Sequence, residues 1–123
     1  MSASKFCFRI ATCVLVVGIL WGVAMAASGR HATMPAHAHF NLLGWVSLFL
    51  MGVFYRLHPA IDAGRPAGLQ AMLWIAGVIV QAIGVTMLTT GIPAGEPIAV
   101  IGSLALLVAA GLFVKLVFAG ERG

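Results

Sequence analysis

PAHAHFNLLGWVSLFLMGVFYRLHP, residues 35–59, is an apolar run of membrane-crossing length that opens on two histidines and closes on a third. At ~1.5 Å of rise per residue, a helix of this length crosses the ~30 Å hydrocarbon core of a bilayer. Pro35 suits a first helical turn, where its missing N–H has no intrahelical acceptor anyway, and Pro59 stops the helix. Three of the four histidines, His31, His37 and His39, fall within nine residues at the entrance of the run, and His58 sits at its exit. Imidazole is costly in lipid and is a ready metal ligand, so this clustering calls for a chemical reason.

The rest of the chain places that run in a membrane protein. Of the 123 residues, 62% are hydrophobic and 8% charged, with a mean hydropathy of +1.09, outside the range of soluble globular domains. The bilayer is thus the first partner. The net charge of +4 is spread over single Lys and Arg residues with no basic patch, which excludes a nucleic-acid surface. Cys7 and Cys13 have neither zinc nor disulfide spacing and read as small apolar fillers of a helix.

Three further apolar runs give spans at about residues 10–27, 69–90 and 98–118, beside 35–58 for the histidine run. The expected fold is all-α: one domain, residues 1–123, forming an integral membrane four-helix up-down bundle. Lys5, Arg9, Arg56, Arg65, Lys115 and Arg122 fall on one side of such a bundle and Arg30 alone on the other. The positive-inside rule then makes both termini cytoplasmic and turns His37 and His39 towards the outer face, the periplasm for a bacterial inner membrane. A competing reading takes residues 1–26 as a cleaved signal peptide, with Ala24-Met25-Ala26 before the cut. Against it stand the length of the run, Trp21, and the Gly18 and Gly22 pair, whose spacing lets two membrane helices approach closely.

Polar groups at depth are few: Asn41, Ser47, Gln70, Gln81 and Thr86. Interhelical hydrogen bonding is their ordinary role. On a regular helix His37 and His39 lie about 200° apart, so one iron cannot take both. Asn41, four residues after His37, shares its face and can orient the imidazole, with Trp45 one turn beyond. His39, Leu42, Leu43, Val46 and Leu50 form the other stripe, an apolar wall of the kind a porphyrin edge needs. His58 is too far along the axis to join and reads as an interfacial cap. The plainest alternative is that both histidines are wetted by interfacial water.

The segment His37-Ala-His39-Phe-Asn-Leu-Leu-Gly-Trp, continuing to Phe54-Tyr55 and Pro59, resembles the histidine-pair helix of the haem-copper oxidase superfamily, which includes cytochrome oxidases and nitric oxide reductases. The resemblance covers about 25 residues and implies that His37 binds a high-spin haem and His39 a low-spin haem, on opposite sides of the helix. Family members have twelve spans in three four-helix units; this chain has one unit's worth, without the copper-binding histidines or linked tyrosine. A complete oxygen-reducing centre is therefore not expected from one chain.

The function expected on this basis is a small haem-b-binding membrane protein in electron transfer or diatomic gas binding. Its site would be His37 and His39 at haem iron, with Asn41 and Trp45 beside them. A homo-oligomer, a trimer for preference, would rebuild the family's layout, and respiratory-chain proteins are further partners. The alternatives are a copper or zinc site at the outer face that adds His31 to the pair, and a cofactor-free structural or assembly subunit of a respiratory complex. No nucleophile, paired carboxylate or phosphate loop suggests an independent hydrolase or transferase.

Overall fold

The computed structural model describes residues 1–122. They are helical without strands, and four helices are long and apolar enough to cross a membrane: α1 Ala3–Ser28, α2 Met34–Leu57, α3 Arg65–Thr89 and α4 Gly95–Gly120. Each reverses direction on the one before it. One end of the bundle, the terminal end, carries both chain ends and the α2–α3 link. The other, the histidine end, carries the α1–α2 and α3–α4 links.

The outer surface is apolar, as contact with lipid tails requires. Val16, Ile19 and Leu20 of α1 and Ile101, Leu104 and Leu107 of α4 each leave more than half their surface exposed. The core is narrow: small side chains, Cys7 and Ala11 of α1, Ala67 and Ala71 of α3 and Ala109 of α4, let the helices close around Leu48, Met51 and Tyr55 of α2, Trp74 and Val78 of α3 and Leu106 of α4. Lipid supplies no hydrophobic drive for helix association, so close van der Waals approach must do that work. It is closest between α3 and α4. A Cβ added at Gly84 would land on the backbone nitrogen of Ala99, and one added at Gly102 on the backbone nitrogen of Gln81.

Both links at the histidine end turn on a left-handed glycine, Gly29 with φ 67° and Gly91 with φ 88°. A side chain at either would be strained, because Cβ crowds the backbone in that conformation. The first link is also tied by Trp21, whose indole N–H donates to Thr33 Oγ1 at 3.0 Å.

The helix limits differ from those of the apolar runs, most of all in α1, which begins at Ala3 rather than near residue 10. The cause lies far along the chain. The backbone N–H and the hydroxyl of Ser4 both donate to the Asp62 carboxylate, at 2.6 and 2.7 Å, so a residue of the α2–α3 link caps the first turn of α1. Asp62 itself ends a single helical turn, Pro59–Asp62, within a segment expected to be a plain turn.

Burial alone would push the Asp62 carboxyl up; the bonds from Ser4, with help from Ser2 and the Arg56 charge, reverse that and hold it below the ordinary carboxylate value. A carboxylate whose folded pKa is depressed stabilises the fold fully above its unfolded pKa, about 3.9, and loses that contribution as pH falls through the folded value. Melting of the detergent-solubilised protein should therefore drop below about pH 4, and Asp62→Asn should flatten that drop while lowering stability at pH 7 by about 2 kcal/mol. Identical acid profiles for the two proteins would show that Asp62 does not anchor α1.

Nearer the middle of the terminal half, a buried polar brace crosses three helices. Tyr55 of α2 donates its hydroxyl to Gln70 Oε1 of α3 at 2.6 Å, and Gln70 Nε2 donates to the Ala109 carbonyl of α4 at 3.2 Å. Every polar atom of that brace is thus partnered away from lipid, the condition a buried polar group must meet.

Candidate functional site

α2 was expected as one regular helix, and it is not. It is α-helical over Met34–Asn41, π-helical over Leu42–Ser47 and α-helical again over Leu48–Leu57. The wide turn surrounds Gly44, which is wedged between Val14 of α1 and Val78 of α3, where an added Cβ would come within 2.9 Å of the Val14 side chain. A π turn loosens the regular i→i−4 ladder, and Trp74 of α3 uses one of the carbonyls there: its indole N–H donates to Leu43 O at 2.9 Å. Two helices therefore hold the irregular turn in place just below the histidines.

His37 points into the α1–α2 interface. Its Nε2 lies 2.9 Å from the Gly18 carbonyl oxygen. A carbonyl only accepts, so this contact places the ring hydrogen on Nε2. Asn41 lies on the same face, as expected; its Nδ2 donates to the His37 carbonyl at 3.0 Å and lies 2.9 Å from Nε2, a contact between two N–H groups that is no hydrogen bond while Nε2 donates to Gly18. Gly18 and Gly22 form the seat for this pair: an added Cβ at Gly22 would lie 3.3 Å from His37 Nε2, and one at Gly18 would overlap Asn41 Oδ1. Trp21 closes the side, its ring edge-on to His37 with centroids 5.8 Å apart.

His39 is placed in the opposite way. It is exposed, and its Nδ1 lies 2.7 Å from the carbonyl oxygen of Pro35, one turn back. That partner fixes the hydrogen on Nδ1 and leaves the lone pair on Nε2, away from the helix axis. Leu42, Val46, Leu50 and Val53 continue the same exposed face. Leu43, expected on this stripe, instead packs half-buried against the core, and its carbonyl accepts from Trp74 in the π turn. The remaining sequence candidates lie elsewhere. Trp45 stacks on Phe49 at 5.0 Å, His31 is exposed in the α1–α2 link, and His58 ends α2 at the terminal end with Nδ1 on the Phe54 carbonyl at 2.8 Å.

The two histidines thus differ in chemistry as well as direction. His37 has Nε2 tied to Gly18 and keeps its lone pair on Nδ1, whereas His39 has Nδ1 tied to a backbone carbonyl and keeps its lone pair on Nε2, at the outer end of an exposed ring. Among the described residues no three His, Cys, Asp or Glu side chains converge, so His31, His37 and His39 are not brought into one three-ligand group. An apolar groove of about 360 Å³ lies between α1 and α3, beside Trp21 and Phe40, and no histidine lines it.

Two of these partners escaped sequence reasoning. Trp21 could have been found from its place at the end of the first span, level with the histidines. The Gly18 carbonyl could not, because every helical residue has one and only the packing selects it. No family model, curated protein or solved structure matches this chain.

Gly18→Ala tests the seat. The new methyl occupies the position of Asn41 Oδ1 and should expel the amide, at a cost of about 2 kcal/mol in thermal stability. Asn41→Ala in the same chain opens that space, so the double variant should lose clearly less than the sum of the single variants. Strict additivity would mean that Gly18 and Asn41 do not share the contact.

Proposed function

We propose that this chain is a small haem-b-binding integral membrane protein in which His39 would hold the haem iron and His37 is a strut between α1 and α2. The observation that carries the reading is the bond from His39 Nδ1 to the Pro35 carbonyl, which leaves Nε2 as an open lone pair on an exposed apolar face. An imidazole nitrogen in such surroundings is unsatisfied in lipid and is satisfied by a metal. The donor set fits a haem better than a bare ion. One imidazole above an apolar wall of Leu42, Val46 and Leu50 suits a flat macrocycle, while copper or zinc needs ligands that His31 and His37 do not bring to His39.

When bound, the haem supplies one-electron redox chemistry or a coordination position for a diatomic gas. The chain's own residues do the rest. Pro35 O fixes the ring tautomer of His39, the α2 stripe excludes water, and the π turn held by Trp74 sets the direction of the face. With a second imidazole beside His39 the site would suit electron transfer, and with His39 alone it would suit gas binding. The departure from the oxidase pattern is that His37 serves here as a hydrogen-bond strut, so the chain offers one haem ligand where the resemblance implies two.

The lopsided charge supports an orientation with both termini in the cytoplasm and His39 near the outer face. Reporter fusions at the N-terminus and after Gly123 should both read cytoplasmic, and the mature mass should include Met1 or Ser2. A mature start at Ala27 or Ser28 would remove Ser4 and Gly18 and contradict both the topology and the His37 seat. For the function itself, membranes that overproduce the chain should give a reduced-minus-oxidised band of the b type. Stoichiometric copper or zinc without such a band would favour a metal-handling protein, and neither would favour a cofactor-free subunit.

A further inference from the structure

α3 carries two glutamines on nearly the same face, Gln70 and Gln81, eleven residues or about three turns apart. Both meet α4, but they end differently. Gln70 is wholly buried, with Tyr55 of α2 donating to its Oε1 and its own Nε2 donating to Ala109 O. Gln81 donates one N–H to Ser103 Oγ of α4 at 2.9 Å, and the Ser103 hydroxyl in turn donates to Ala99 O at 2.9 Å. Among the described residues nothing else meets the Gln81 amide, which keeps its second N–H and both lone pairs of Oε1 free.

Its depth makes that unusual. Gln81 lies eight residues from the end of α3 and Ser103 eight from the start of α4, about 12 Å in from the histidine end and so within the ~30 Å hydrocarbon core. Gln81 is half-buried, Ser103 is exposed, and the surface of α4 around them is Val100, Leu104 and Leu107. No water reaches that depth to satisfy an amide, and groups of this kind serve as glue between membrane helices. At Gln70 the third helix is α2; at Gln81 the third helix is missing.

We infer that a second copy of this chain supplies it, docking on the α3–α4 seam about a twofold axis beside Gln81. A carboxamide is both donor and acceptor. Across a twofold, each Gln81 can therefore give its free N–H to the partner's Oε1 and accept the same bond in return, with no other chemistry required of the partner. Twofold pairing is also the commonest symmetry of identical subunits. The inference is independent of the haem reading, since this seam lies on other helices than His39.

Dilution in liposomes with donor- and acceptor-labelled chains tests it. Energy transfer should fall with protein-to-lipid ratio along a monomer–dimer curve, and Gln81→Leu should move the midpoint to about tenfold higher protein density, the loss of two interhelical bonds. The variant also gives up the bond to Ser103 within its own chain, so its melting should fall slightly, while an unchanged helical circular dichroism shows that the fold is intact. A second variant, Leu107→Trp on the same surface, should also weaken pairing by crowding it. A chain that stays monomeric at all densities, or one whose association ignores both variants and responds to Leu50→Trp on α2, overturns the proposal.

Discussion

His39→Ala is expected to abolish the haem-type absorbance of membranes containing this protein while leaving its fold and abundance unchanged. The side chain is exposed and its one bond is to a carbonyl of its own helix, so removing it costs little packing. On the proposed reading, by contrast, the chain loses the one side chain that would ligate the iron, and an apolar stripe alone would not hold it. His37→Ala should do the reverse. Its bond to Gly18 spans two helices, so the variant should lose about 1 to 2 kcal/mol of stability, with the absorbance band kept in whatever protein remains folded. His31→Ala and His58→Ala should alter neither quantity. If His37→Ala instead removed haem from a folded chain as completely as His39→Ala, His37 would be a ligand and the strut assignment would fail. Equal losses in the His31, His37 and His39 variants, read as bound copper or zinc, would point to a shared metal site.

The largest expected loss of stability comes from the α3–α4 seam. Gly84→Val places a branched side chain where even a Cβ falls on the backbone of Ala99 and 2.8 Å from the Gly95 carbonyl. Backbone cannot rotate aside as a side chain can, so α4 must move away along its length and lose the contacts of Leu106 and Ala109 with the core. Overpacking of this kind costs about 3 kcal/mol. α4 is held mainly by α3, so partial release of α4 should precede global unfolding, detectable as early protease cleavage in the α3–α4 link. Gly111→Val is the matched control on α4, because nothing lies within 4 Å of a Cβ there. Similar melting temperatures for the two variants would show that the seam is not the tight contact the geometry describes.

The four spans were legible because apolar length is a local property that the bilayer reads directly. The face shared by His37 and Asn41 was legible for the same reason: helical periodicity puts residues four apart on one side. What escaped was set by partners distant in sequence. α1 begins early because Asp62, 58 residues further on, caps it. The π turn of α2 depends on Val14, Val78 and Trp74 closing around Gly44, and no pattern within α2 announces it. The Gly18 and Gly22 pair did signal close approach, but not that the approaching groups are an imidazole and an amide. His37 and His39 look alike in the sequence; His39 bonds a carbonyl of its own helix, whereas His37 bonds a carbonyl of α1 that only the folded chain brings to it.

The central claim is that one haem is held per chain through the open nitrogen of His39. A pyridine haemochrome assay on the detergent-purified protein tests it most directly, read against protein mass from amino-acid analysis. The account predicts a haem b spectrum at about one haem per chain. A protein that keeps its helical circular dichroism and yields no haemochrome after expression with ample haem would contradict it.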